Sequence, residues 1–287
     1  SVAFGGFAGA KNLSGSYNTY IGYEAGSGSV QTLGDTAVGY HALKQSVGID
    51  TGGSTNSTLS TAVGYTALKS STIGQENTAV GAESLFQLTC AARNTAVGYK
   101  AGYNITSGSD NTLVGTQAGF SGATNKFIVS VGRCAGYNLT GDGNTSLGYK
   151  TLEGSATISG LGNTAIGAYA GACVSGSSCR NVYLGYLAGP SANTCEQNQL
   201  YINNAAGTPL IKGDFAKCSV QFRGGVSGSF SGSFVGDGSG LTGISTGADG
   251  DWKDETAYLS SSKDIQVTGD ISGSGQLQIG TLHTLTG

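Results

Sequence analysis

The chain has 287 residues, of which 51 are glycine, two are proline and none is methionine, and its formal net charge is −3. Glycine does not recur at every third residue, which excludes collagen, and the regular spacing of Tyr, Val, Ile and Leu argues against disorder. Scattered basic residues and the lack of an apolar run of about 20 residues predict neither nucleic-acid binding nor membrane insertion. Because the chain begins in mid-repeat without methionine, we expect a processed product or a fragment.

A phrase close to Asn-Thr-Ala-Val-Gly-Tyr recurs through the first two-thirds of the chain. Its glycine, here called the anchor, occurs eleven times, most often at steps of 17 residues. The anchors are Gly5, Gly22, Gly39, Gly64, Gly81, Gly98, Gly115, Gly132, Gly148, Gly167 and Gly185. Thr-Ala-Val is short and alternating, which favours a strand, and the anchor favours a corner that admits no Cβ. The sequence therefore predicts an all-β fold, with a parallel β-solenoid of about eleven coils over residues 1–191, each coil rising about 4.8 Å.

Three positions in each coil recur with fixed chemistry. The residue before the anchor is always bulky and apolar, so we expect it to point into the core, with Val97 buried between Val80 and Val114. The small residue three places after the anchor, usually alanine, is expected to point inward from a second short strand. Asparagine lies four places before the anchor in seven coils, which predicts a hydrogen-bonded ladder of stacked side chains.

The step of 25 residues between Gly39 and Gly64 indicates an insertion within residues 46–60. Insertions in solenoids emerge as loops on one face and often bind partners. The interpretation we favour is a longer loop without a specific role, and a binding loop is the alternative.

Tyrosine follows the anchor in six coils, at Tyr23, Tyr40, Tyr65, Tyr99, Tyr149 and Tyr186. An exposed aromatic row of this kind can stack on sugar rings or on other surfaces, which makes it a candidate surface-binding row. We favour a second interpretation, in which the stacked tyrosines only cover the corners of the solenoid.

The six cysteines form no C-x-x-C pair, and only His41 and His283 accompany them, which argues against a zinc site. Cys173 and Cys179 flank a short flexible loop and form a candidate disulfide. Cys195 and Cys218 are a second candidate pair. Free thiols buried as small apolar groups are the alternative for all of these positions.

Beyond the repeats we expect a small β module over residues 192–224 and a Gly/Ser-rich fibre shaft over residues 225–287. In the shaft, Phe230 and Phe234 alternate with glycine and serine, and one copy of such a segment cannot bury them. This predicts self-association. The acidic cluster of residues 249–255, which contains the single tryptophan, is interpreted as a solvated turn rather than a calcium loop.

The repeats that begin at Asn77, Asn94, Asn111 and Asn163 resemble those of trimeric autotransporter adhesin heads, and similar repeats occur in phage tail fibres. The resemblance covers about residues 1–190. It implies a left-handed parallel β-roll assembled as a homotrimer. Residues 199–215, 228–243 and 269–280 look like the strand module and shaft phrases of tail-fibre and surface proteins.

From these features we expect a structural fibre or adhesin protein, namely a phage tail fibre or similar virion appendage that attaches to a host surface. The alternatives are a bacterial surface adhesin or extracellular filament subunit, and a glycan-degrading tailspike. We expect no enzymatic activity, cofactor or metal, because the carboxylates are dispersed and neither histidine has the context of a catalytic triad. The expected partners are further copies of the chain, other fibre or virion proteins and a cell-surface glycan, on a virion or at the cell exterior.

Overall fold

The structure, a computed structural model, describes residues 1–46, 58–154 and 156–223. In these ranges the fold is all-β and without helix, and the predicted parallel solenoid of about eleven coils is confirmed. Each coil contributes one three-residue strand. The strands of coils 1–11 are β1 (Val2–Phe4), β2 (Thr19–Ile21), β3 (Thr36–Val38), β4 (Thr61–Val63), β5 (Thr78–Val80), β6 (Thr95–Val97), β7 (Thr112–Val114), β8 (Val129–Val131), β9 (Thr145–Leu147), β10 (Thr164–Ile166) and β11 (Val182–Leu184).

Three further strands continue the same sheet. They are β12 (Gln199–Ile202), β13 (Ile211–Asp214) and β14 (Ser219–Phe222). Strands β1 to β12 pair in parallel in chain order, and β12, β13 and β14 then form an antiparallel meander. The register places equivalent repeat residues side by side, as in the pairing of Thr78, Ala79 and Val80 with the corresponding residues of β6. Every repeat position therefore becomes a column of neighbouring side chains.

The expectation that the residue before the anchor points inward is wrong. In β6 the middle residue Ala96 is fully buried, whereas Val97 is 37% exposed, and the same orientation holds in the neighbouring strands. Alternation along a strand gives two opposite faces but does not say which one is inside. Here the interior is already filled by leucine and isoleucine side chains from the turns, so that a small residue fits inward and the larger one lies outward.

Large and small residues alternate across the core so that each coil fills the same space. Where the middle strand residue is large, as in Tyr20 or Leu113, the position four places after the anchor is glycine. A Cβ at Gly119 would lie 2.5 Å from Leu113 Cδ2, and one at Gly26 would meet the ring of Tyr20. Where the middle residue is alanine, as in Ala79, a buried leucine such as Leu85 can take that later position.

The anchor glycines form the tight corner that the sequence predicts. At Gly81 φ is +133°, and an added Cβ would lie 2.5 Å from the carbonyl oxygen of Gly98, the anchor of the next coil. Real Cβ atoms do not approach a backbone oxygen so closely. The vertical stacking of the coils therefore depends on glycine at this corner.

The alanine three places after the anchor points inward as predicted, and Ala101 is fully buried. The prediction of a second short strand at this position is wrong, because the chain forms a succession of turns there. Two places after the anchor, non-glycine residues adopt a left-handed conformation, with φ of +55° at Lys100 and +52° at the β-branched Thr66. This conformation bends the chain around the core within a few residues.

The predicted asparagine ladder is confirmed. Nδ2 of Asn94 donates to Oδ1 of Asn77 at 3.1 Å and to the carbonyl oxygen of Gly108 at 2.9 Å. Nδ2 of Asn111 in turn donates to Oδ1 of Asn94 at 2.9 Å. A second run joins Asn144, Asn163 and Asn181 by equivalent bonds. Between the two runs the column position is Ile128, whose side chain can neither donate nor accept.

In coil 3 the ladder position is occupied by Asp35, which is fully buried. Its Oδ1 accepts the amide of Ser60 at 2.9 Å, whereas Oδ2 has no hydrogen-bond partner among the described residues. Burial raises the pKa of the Asp35 carboxyl, and the neighbouring donors of Thr58, Ser60 and Thr32 only partly oppose that rise. Asp35 therefore places an acidic group inside a column that otherwise favours a neutral amide.

Candidate interaction surfaces

The outer face of the parallel sheet carries two columns of side chains along its full length, one apolar and one mostly threonine. The residues just before the anchors form the first column, namely Phe4, Ile21, Val38, Val63, Val80, Val97, Val114, Val131, Leu147, Ile166 and Leu184. The second column holds the first residue of each strand, mostly threonine, with Val129 at 39% exposure. With about 4.8 Å between strands, ten steps give a stripe roughly 48 Å long. We call these two columns the outer sheet face.

The first column of the outer sheet face is partly exposed to solvent along its length. Ile21, Leu147 and Leu184 are each about 40% exposed, and β12 extends the first column with Ile202. Isolated exposed apolar residues are common on protein surfaces, but a continuous apolar stripe of this length is typical of an interaction site.

The tyrosines that follow the anchors lie at the corner beside this face; five of the six are about half exposed, and Tyr149 is half-buried. Tyr23, Tyr40 and Tyr65 stack in parallel, with ring centroids 5.6 and 5.4 Å apart. Tyr149 and Tyr186 instead contact Tyr169 edge to face. His41 stacks on Tyr40 with centroids 3.7 Å apart, and the edge of Phe7 contacts Tyr23, so the rings of this stack are partly covered by their neighbours.

The candidate row is consequently interrupted rather than continuous. Tyr99 stands apart from the other five members, with Ala82 before it and Thr116 after it in the column. Stacking supports the corner-covering interpretation for Tyr23 and Tyr40. A surface-binding role for the row stays a prediction.

A second aromatic column, not predicted from the sequence, lies five places after the anchor. The parallel rings of Phe86, Tyr103, Phe120 and Tyr137 stack with centroids 5.1, 5.4 and 4.8 Å apart. Nζ of Lys69 lies 5.3 Å from the Phe86 ring centroid and continues the column by a cation–π contact. The spacing of 17 residues between these aromatics is the signal that predicts the column.

In coils 1 and 2 this column contains the small residues Ala10 and Ser27, which leave an open groove of about 670 Å³. Two charged groups that line it are already paired, because the Glu24 carboxylate lies 2.5 Å from Nζ of Lys44 and 2.9 Å from Nε2 of His41. The Lys44 contact lowers the pKa of Glu24, whereas burial lowers the pKa of His41. His41 thus lies against the Glu24 carboxylate in a surface cluster with Lys44, and its lowered pKa favours the neutral imidazole.

All six cysteines are free thiols in the structure. Cys173 and Cys179 are both half-buried, and Cys195 and Cys218 are exposed. The pairing of Cys173 with Cys179 stays a prediction. Cys134 is buried, and burial raises the pKa of its thiol, which disfavours the reactive thiolate.

Several predicted features lie outside the described residues. These are the greater part of the insertion, residues 47–57, the fibre shaft at 225–287 with Phe230 and Phe234, the acidic cluster at 249–255, and His283. Within the described ranges, no three His, Cys, Asp or Glu side chains cluster as metal ligands. The same ranges contain no helix that is long and apolar enough to span a membrane.

The chain matches no protein-family model, and comparisons with curated proteins and with solved structures found no match.

Proposed function

We propose that this chain is a structural fibre protein of the adhesin or tail-fibre type, which self-associates along its outer sheet face and attaches a virion or cell to a surface. The resemblance of the repeats to adhesin heads and tail fibres supports this proposal. The phage tail fibre or similar virion appendage is the form that we favour, with further copies of the chain and a host-surface glycan as partners.

The observation that carries the proposal is the exposed apolar stripe. Every coil from β1 to β11 presents a bulky apolar residue to solvent at the same position. Burial of apolar surface stabilises association by about 25 cal/mol for each Å² removed from water, and a repeated column supplies this contribution at every coil. A second copy is the occupant that fits best, because identical columns with the same rise meet in register along their whole length.

The way the strands divide their side chains between the two faces also favours self-association. The inward strand residue is often only alanine, as at Ala62, Ala79 and Ala96, and each of these is fully buried. Because the strands keep their larger apolar side chains for the outer sheet face, they favour assembly of several copies around a common axis. Three copies is the number that the resemblance implies.

Sedimentation velocity of the full chain with two aspartates on the outer sheet face, Val97→Asp and Val114→Asp, tests this proposal. Each native residue is 37% exposed, so the substitutions place charge in the proposed interface without burying it in a single copy. We expect the wild type to sediment as an oligomer and the double variant as a single folded chain.

Ile73→Asp is the matched control, because Ile73 is 40% exposed but lies outside the strands and away from the outer sheet face. This variant should assemble like the wild type. A wild type that stays monomeric at high concentration, or a double variant that assembles normally, would contradict the proposed interface.

A further inference from the structure

The open groove of about 670 Å³ is lined by residues of coils 1–4 that lie outside the strands. It exists because the column that holds aromatic rings in coils 5–8 holds the small residues Ala10 and Ser27 in coils 1 and 2. The amide of Lys11 donates to the carbonyl oxygen of Ser27 at 3.2 Å, and the amide of Gly28 donates to that of Lys44 at 2.8 Å, so the backbone beneath it is held in register. A volume of this size is typical of small-molecule sites.

Three charged side chains line this groove, namely Lys11, Glu24 and Lys44. The Glu24 carboxylate lies 2.5 Å from Nζ of Lys44, so these two charges offset each other. His41 also contacts Glu24, but its lowered pKa favours the neutral imidazole. Lys11 is exposed and makes no ion pair with any described residue. The groove therefore carries one positive charge in excess, at Lys11, and this charge favours an anionic ligand.

Neutral polar groups and apolar surface lie beside these charges. The Ser27 hydroxyl and the Gln45 carboxamide line the groove, and each can both donate and accept hydrogen bonds. The Ser27 side chain makes no hydrogen bond to a described residue. Phe7, which is 66% exposed, and Val30 supply the apolar part of the lining. A ligand that uses the whole groove must combine a negative charge, several hydroxyl groups and an apolar face.

We propose that this groove binds a hexuronic acid residue of a surface glycan, with the sugar carboxylate on Lys11 and Lys44. Lys44 keeps donors for this contact, because an ammonium group has three and Glu24 takes only part of them. The sugar hydroxyl groups pair with Ser27 and Gln45, and its C–H face lies against Phe7. This inference rests on the proposed attachment function and names the chemical class of its ligand.

A carboxylated sugar fits this lining better than a neutral sugar or a small inorganic anion. A neutral sugar that covers Lys11 removes water from the ammonium without supplying a counter-charge, which carries a desolvation cost. A bare phosphate ion makes no use of the apolar surface at Phe7. In addition, no arginine lines the groove to hold a phosphate in bidentate fashion, whereas the compact charge of a lysine suits a single carboxylate.

The test measures binding of the methyl glycosides of glucuronic acid, galacturonic acid and glucose, and of inorganic phosphate, to the full chain by isothermal titration and saturation-transfer NMR. We expect saturable binding of at least one uronide, and about fivefold weaker binding of the glucoside and of phosphate. Lys11→Gln should weaken uronide binding by a similar factor. Ser27→Phe should abolish it, because the ring fills the groove, and this variant should stay folded, since Phe120 occupies the equivalent position after a glycine.

Lys126→Gln and Ala172→Phe are the matched controls, because they make the same kinds of change at an exposed lysine and at the same column position in coil 10, away from the groove. Both should bind as the wild type does. The absence of saturable uronide binding, equal binding of the glucoside or phosphate, or unchanged binding by Ser27→Phe would overturn the subsite. The sedimentation test concerns the outer sheet face, which includes neither position 11 nor position 27, so either outcome leaves the fibre proposal to be judged separately.

Discussion

Along strands β2–β11 the inward column holds alanine or serine in seven of ten coils, whereas the outward column holds valine, isoleucine or leucine in all ten. Single-domain proteins usually place the larger apolar residue inside. In this solenoid the turns supply the bulky core residues, such as Leu85, Leu88 and Ile105, and the strands contribute little volume to the interior. The comparison indicates that each strand has two packing faces. Its small inward residue packs closely against the core, and its larger outward residue offers apolar surface to a partner.

The largest expected effect comes from charge on the inward column. Ala96→Asp buries a carboxylate without a partner, and we expect it to destabilise the fold by at least about 4 kcal/mol. Val97→Asp places the same group on the outer sheet face and should cost less than about 1 kcal/mol in a single chain. Thermal denaturation at a dilution at which the wild type is monomeric checks this contrast. Equal losses for the two variants would contradict the assignment of the two faces.

The next effect concerns the asparagine ladder that borders the inward column. Asn94→Ala removes the acceptor for Asn111 and leaves Oδ1 of Asn77 and the carbonyl oxygen of Gly108 without one donor each. At about 1 kcal/mol for each bond, we expect a loss of roughly 2–4 kcal/mol in the free energy of unfolding. Chemical denaturation measures this loss.

Asn104→Ala is the control for the ladder, since the Asn104 side chain makes no hydrogen bond to any described residue and is only half-buried. It should change the free energy of unfolding by no more than about 0.5 kcal/mol. A similar cost for both variants would show that the ladder adds no stability beyond that of an ordinary surface asparagine.

The smallest effect is a pH dependence within the same ladder. The pKa of Asp35 is higher in the folded than in the unfolded state, so its favourable contribution is complete below about pH 4 and is lost as the pH rises through the folded-state pKa. Asp35→Asn should therefore stabilise the chain at neutral pH by an amount on the order of 1 kcal/mol and leave stability at acid pH nearly unchanged. Melting curves of both proteins across this range check the sign, and parallel profiles would contradict it.

The sequence predicted the features that recur in nearly every coil. The glycine corner, the inward alanine such as Ala101 and the ladder of Asn77, Asn94 and Asn111 all follow from one period and one steric or hydrogen-bonding requirement. These positions are readable because each requirement admits few residue types.

The orientation of the strands could not be predicted from the same pattern. Thr-Ala-Val offers a small and a large apolar residue on opposite faces, and the choice depends on core volume supplied by Leu85 or Leu88, which vary from coil to coil. The left-handed conformation of Thr66 was also not predictable, because a β-branched residue ordinarily avoids it.

The corner at which each anchor glycine lies against the next has a consequence for how the molecule can change in length. A coil contacts little beyond its two neighbouring coils. Removal or duplication of a 17-residue segment between equivalent positions, for example from Gly81 to Gly98, therefore leaves equivalent residues paired in every column. Such a change shortens or lengthens the solenoid in steps of about 4.8 Å without altering its cross-section. Recombination between repeats can therefore adjust the reach while the fold persists.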